Sequence, residues 1–143
     1  MAKAVLLFAA LAALALPHLP PVDAPIVDPF RPPSSAYGAG NRGLEYRTVP
    51  GQTVRASADG VVSFSGSIGA QQFVSIQHDA SLRTTYSFLA SRSVARGQRV
   101  AQGDKVGTSG TSFHFGALRD GVYIDPETLF GVVITEVRLV GAD

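Results

Sequence analysis

Between Tyr37 and Phe130 the chain offers no long stretch of helical period. It has short apolar runs instead, broken at close and regular intervals by Gly, Asp and Ser: TVRAS (53–57), VVSFSG (61–66), FVSIQH (73–78), TTYSFL (84–89) and SFHFGAL (112–118). That pattern predicts strands and turns, hence an all-β domain. In SFHFGAL, strand alternation sends Phe113 and Phe115 into a core and puts Ser112, His114 and Gly116 on the other face. The tail VVITEVRLV (132–140) reads as one more strand.

With 143 residues, 45% hydrophobic and 16% charged, the chain is long enough for one packed domain. A formal net charge of +1 with no basic run gives no reason to propose a nucleic-acid partner. No cysteine is present, so disulfides and thiolate metal sites are excluded. A metal would need His, Asp, Glu or weaker oxygen ligands, and the chain has only three histidines.

The opening MAKAVLLFAALAALALPHLP places one lysine before an apolar run, Ala4 to Leu16, and then prolines. This is the layout of a secretory signal peptide, and the run is short of the ~20 apolar residues a stable membrane span takes. The expected organisation is a signal helix over 1–24, a proline-rich lead-in over 25–36, the domain over 37–130 and a tail over 131–143. Two small-x-small cleavage positions exist, Val22-Asp23-Ala24 and Ala13-Leu14-Ala15. The expected location is secreted or in the cell envelope.

ARGQRVAQGDKVGTSG (95–110) places glycines 97, 103 and 107 at what read as sharp turns around Val100 and Val106. Asp125-Pro126 reads as a turn after the last core strand. Biotinyl and lipoyl carriers share such turns but need a lysine at a hairpin tip. Lys3 and Lys105 are the only lysines, and Lys105 lacks the carriers' flanking pattern.

Taken together, YGAGNRGLEY, GQTVRASADGVVSFSG, FVSIQHDASLRTTYSFL, VARGQRVAQGDKVGTSG and FHFGALRDGVYIDPETLF resemble the lysostaphin/LytM-type zinc metallopeptidases, which cut peptidoglycan cross-bridges. The resemblance covers about residues 30–130. It implies a small antiparallel β-sandwich, like a duplicated hybrid motif, with a metal-holding groove. The family's motifs are H-x-x-x-D, Y-x-H-L and H-x-H-F. Their first His, Asp and last His bind zinc; the other two histidines assist the water and the oxyanion.

Carried over position by position, the ligands fall on Asn41, Glu45 and His114, and the catalytic histidines on Phe88 and Ser112. His78 matches a family histidine outside the zinc set. Only His114 keeps its residue. A hydrolytic zinc needs three protein ligands and an open position. Asn41 offers a neutral amide, a poor zinc ligand beside imidazole. The extra methylene of Glu45 displaces its carboxylate by about 1.5 Å, where metal–ligand distances hold to about 0.2 Å. Phe88 cannot move a proton, and losing positioned acid–base groups costs about 10²–10⁴-fold in rate.

The resemblance therefore implies a degenerate member: no intact catalytic residues, no cofactor expected (zinc belongs to active relatives), and a groove containing Asn41, Glu45, Tyr86 and His114. Arg83 reads as a solvated strand residue at its edge. His114 reads as a groove histidine hydrogen-bonded to its neighbours, and Phe88 as filling space a histidine vacated. The implied work is binding peptidoglycan peptide or regulating a cell-envelope enzyme. The alternative is a weakly active zinc endopeptidase using an unusual Asn41/Glu45/His114 site.

Overall fold

A computed structural model describes residues 16–131. The described residues form nine strands: β1 (Ile26–Asp28), β2 (Gly43–Arg47), β3 (Thr53–Arg55), β4 (Gly60–Ile68), β5 (Gln71–Gln77), β6 (Leu82–Arg92), β7 (Arg99–Val100), β8 (Lys105–Arg119) and β9 (Val122–Ile124). Neighbouring strands pair antiparallel in the order β1-β2-β8-β6-β5-β4-β7, with β3 and β9 added to β8. The antiparallel β architecture expected from the strand-like runs is the one observed. Residues 1–15 of the expected signal helix and the tail strand lie outside the described residues, while residues 16–24, assigned to the same helix, form no helix and run along the domain instead.

Strand β8 is the spine. Its first half pairs with β3 and its second half with β2, while β6 follows both halves on the other side. Alternation then sorts the side chains. Leu44, Tyr46, Val74, Ile76, Tyr86, Phe113 and Phe115 all point into one core and are at most 2% exposed. Their in-between neighbours point the other way, onto the face that carries the groove. Fully burying a side chain of this size contributes roughly 1.5–3 kcal/mol.

Two of the three expected glycine turns are present: Gly97 and Gly103 both have φ of +88°, a conformation glycine adopts without strain. Gly107 is different. It lies inside β8, between Val54 of β3 and Arg92 of β6. A Cβ there would sit 2.1 Å from the Ser91 carbonyl oxygen, so close backbone approach, not a turn, requires the glycine.

The lead-in is more structured than proline content suggested. It contains β1, which pairs Ile26 with Tyr46. Before it, residues 17–23 form an arm across the core. Pro21 and Val22 are buried, and backbone bonds run from His18 N to Leu129 O (2.9 Å), Leu19 N to Ser57 O (2.8 Å) and Arg55 N to Pro21 O (2.8 Å). At the other end, Asp125 caps a short 3₁₀ helix (Pro126–Leu129) by accepting from Glu127 N at 3.0 Å. Phe130 then stacks on Phe115, ring centroids 6.1 Å apart.

Candidate functional site

The strand register builds a groove from two rows of side chains running across the sheet. One row crosses Glu45 (β2), His114 (β8), Ser87 (β6) and Phe73 (β5). The next crosses Gly43, Gly116, Thr85, Ser75 and Phe64. Arg42, Ile68, Phe88 and Tyr123 complete the walls of a cleft of about 490 Å³. One end is thus polar and the other aromatic.

At the polar end Glu45 and His114 stand directly opposite each other, with Oε1 and Nδ1 2.6 Å apart. An ionised carboxylate only accepts, so Nδ1 carries a proton and donates. Both side chains are partly covered, at 16% exposure for His114 and 32% for Glu45. Gly43 makes room for the ring, since a Cβ there would lie 2.7 Å from His114 Nε2.

Phe88 enters the groove through an irregularity. In a regular strand it would face away from Ser87, its neighbour in sequence. Here the β6–β8 register shifts between Ser87 and Leu89, and Phe88 takes a φ of +63°. A bulge of this kind re-aims a side chain. The left-handed conformation costs a non-glycine residue about 1–3 kcal/mol. The ring ends 5.6 Å from Phe73 and 6.2 Å from His114, edge-on to both.

The other site positions lie apart from the groove. Asn41 is buried, and its Nδ2 donates to the carbonyls of Asp28 (3.2 Å) and Pro29 (3.0 Å). It braces the lead-in against the loop before β2. Tyr86 is fully buried because it occupies an inward position of β6. Ser112 is exposed, opposite Arg47, and does not line the cleft. Arg83 is exposed near the far end of β6 and is likewise no part of it. The walls Phe64, Phe73 and Tyr123 were not singled out from the sequence. The signal was present in alternation, which sets Phe73 opposite in facing to Val74, but facing alone does not tell a groove from a solvated sheet.

The model of peptidase family M23 matches residues 39–126, which include both rows of the groove. The chain belongs to this family. It is 34% identical over 92 residues to the DD-carboxypeptidase/endopeptidase Mpg of Neisseria meningitidis serogroup B, covering 59% of this chain and 21% of that protein. It is 28% identical over 114 residues to the murein hydrolase activator NlpD of Salmonella typhimurium, covering 74% of this chain and 29% of that protein. The chain thus spans between a fifth and a third of these relatives. Among solved structures, a zinc containing peptidase from Vibrio cholerae superposes with a TM-score of 0.68 at 25% identity, covering 78% of this chain and 40% of that one.

Zinc is the metal the M23 family implies, and the residues here do not fit it. Tetrahedral bonds of about 2.0–2.1 Å place two ligand atoms about 3.3 Å apart; Glu45 Oε1 and His114 Nδ1 are in direct contact at 2.6 Å. The third position, Asn41, is a neutral amide held by its Nδ2 on the backbone carbonyls of Asp28 and Pro29. Among the described residues no group of three His, Cys, Asp or Glu stands close enough to hold a metal ion. What the arrangement can do is hydrogen-bond and stack. Glu45, His114, Thr85 and Ser87 offer polar contacts beside the rings of Phe64, Phe73 and Phe88.

Proposed function

We propose that this M23 domain is exported to the cell envelope and works without hydrolysis, using its groove to bind rather than to cut. The observation that supports the reading best is the contact between Glu45 and His114. Each satisfies the other, and the nearby catalytic position holds Phe88. Three further replacements point the same way: an amide at position 41, a longer acid at 45 and a hydroxyl at 112. The bound partner is a cell-envelope enzyme that the domain regulates, or the peptidoglycan peptide itself. The likeness to a protein named as a murein hydrolase activator favours the first. The likeness to a named carboxypeptidase/endopeptidase keeps a rival reading, weak zinc-dependent cleavage at Asn41/Glu45/His114.

Zinc analysis of the purified full chain, paired with a peptidoglycan cleavage assay, separates the two. The expected result is no stoichiometric zinc and no released fragments, with the protein co-sedimenting with peptidoglycan or capturing a wall hydrolase. Stoichiometric zinc that is lost in both His114→Ala and Glu45→Ala, together with fragment release, would overturn the reading.

A further inference from the structure

On the side of the sheet opposite the groove, the N-terminal arm is joined to the core by a chain of polar groups. His18 Nδ1 lies 2.9 Å from Ser57 Oγ. The Tyr86 phenol donates to Ser57 Oγ at 3.1 Å, and the Thr84 hydroxyl donates to the phenol oxygen at 3.1 Å. Thr84 Oγ1 in turn lies 2.7 Å from His78 Nε2. The other ring nitrogen of His78 lies 2.7 Å from the Asp59 backbone carbonyl. The two imidazoles also touch directly, edge to face, with centroids 4.7 Å apart. Ser57, Thr84 and Tyr86 are fully buried.

Counting protons shows what this chain tolerates. A carbonyl only accepts, so His78 Nδ1 must carry a proton. Four links join the two imidazoles, and three hydroxyls supply one proton each. One imidazole N–H has to fill the fourth link. In the direction described, His78 Nε2 donates and His18 Nδ1 accepts, so His78 is the cation. With all three hydroxyls turned round, His18 Nδ1 donates and His78 is neutral. Each of these arrangements satisfies every link, and so does one added proton on His18. With both rings doubly protonated, both ends donate inward. Five protons then compete for four links, one link breaks, and two cations face each other at 4.7 Å.

The surroundings absorb that second charge only in part, with Asp79 favouring it on both rings and Asp59 on His78. The groups facing the pair are Asp59 from the turn before β4, Asp79 from the β5–β6 turn and Arg119 from the end of β8. The 3₁₀ helix contributes Thr128 and Leu129, which do not titrate. Asp59 is engaged by Gln102 N at 2.7 Å, and Asp79 by Ser81 N and Leu82 N, both at 2.8 Å. Arg119 opposes further positive charge. Burial, followed by repulsion from His78, lowers the pKa of His18 to about 4. Burial lowers that of His78 as well.

We propose that residues 17–23 form an acid-released latch, docked while the His18–His78 pair holds at most one added proton and undocked when both rings are charged. Undocking withdraws Val22 from the core and uncovers Ser57 and Tyr86. The groove lies on the other face, so its fate in zinc or binding assays is independent of the latch.

The test is amide hydrogen exchange on the full chain by NMR, corrected for the intrinsic pH dependence of exchange. The probes are Leu19 N–H and Arg55 N–H, which bond across the arm. A histidine pKa that drops from 6.5 to about 4 on docking favours opening by about 100-fold at pH 4 relative to pH 7. Their protection should fall by about that factor, while amides of β8 such as Phe115 keep theirs. His18→Asn, which cannot take the proton, should flatten the response. Should that variant not fold, the histidine ring signals of the unaltered protein decide, with the second protonation step coinciding with loss of arm protection. Equal arm protection at pH 4 and pH 7, or both histidine rings charged with the arm still docked, would overturn the proposal.

Discussion

Val22→Ala in the full chain tests whether the arm belongs to the domain. Val22 is 5% exposed and packs in the same cluster as Leu44 and Phe115. The substitution removes two carbons, a transfer loss of about 1.6 kcal/mol at ~0.8 kcal/mol each. Incomplete collapse of the cavity raises the total to about 2 kcal/mol. With a urea slope of about 1–2 kcal/mol per molar, the midpoint should fall by about 1–2 M. Val27→Ala is the control, because Val27 is 49% exposed in β1 and should stay within about 0.5 kcal/mol. Equilibrium urea unfolding followed by circular dichroism measures both. A Val22→Ala midpoint indistinguishable from that of Val27→Ala would refute the reasoning. A signal-peptide cut after Ala24 would remove Val22, and one after Ala15 would keep it. On the packing seen here, we propose the second.

Tyr86→Phe should destabilise by about 1–3 kcal/mol in the same assay, because it strips the buried Ser57 N–H of its 2.8 Å acceptor. Gly107→Ala should cost about 3 kcal/mol or more and yield protein without a cooperative transition, since the Ser91 backbone cannot yield to a Cβ at 2.1 Å. Phe88→His should leave the fold intact and open the groove between Phe73 and His114; a crystal structure with unchanged groove shape would count against Phe88 as its filler. Stability should also fall on acidification. The folded pKa of His18 lies below its ordinary value, so its contribution is complete above pH 6.5 and is lost as the pH falls towards about 4. Asp79, held low by the backbone N–H groups of Ser81 and Leu82, acts in a lower window, its contribution being lost below about its ordinary pKa of 3.8. Urea midpoints measured from pH 8 to pH 3 would show both, and a flat profile between pH 6.5 and pH 4 would contradict the first.

What could be read without the fold was whatever depends on neighbours along the chain. Strand alternation put Phe113 and Phe115 in the core and His114 on the opposite face, and β8 places them so. The family resemblance put Glu45 and His114 in one groove, and β2–β8 register sets them opposite each other. The same resemblance grouped Asn41 and Tyr86 with the groove, yet one turns to the lead-in backbone and the other into the core.

The sequence by itself determined that this is a β domain, because alternation depends on neighbours along the chain, and its resemblance implied that the family's functional groups are replaced at every matched position but His114. Only the tertiary structure decided what those residues do instead. Register shifts, such as the one that lifts Phe88 onto the groove face, are settled by pairing with a strand far away in sequence. So is the seat of the arm, where His18 meets Ser57, 39 residues on. The sequence pattern there suggested the end of a signal helix, but apolar residues pack wherever a core leaves room, and that room belongs to the whole fold.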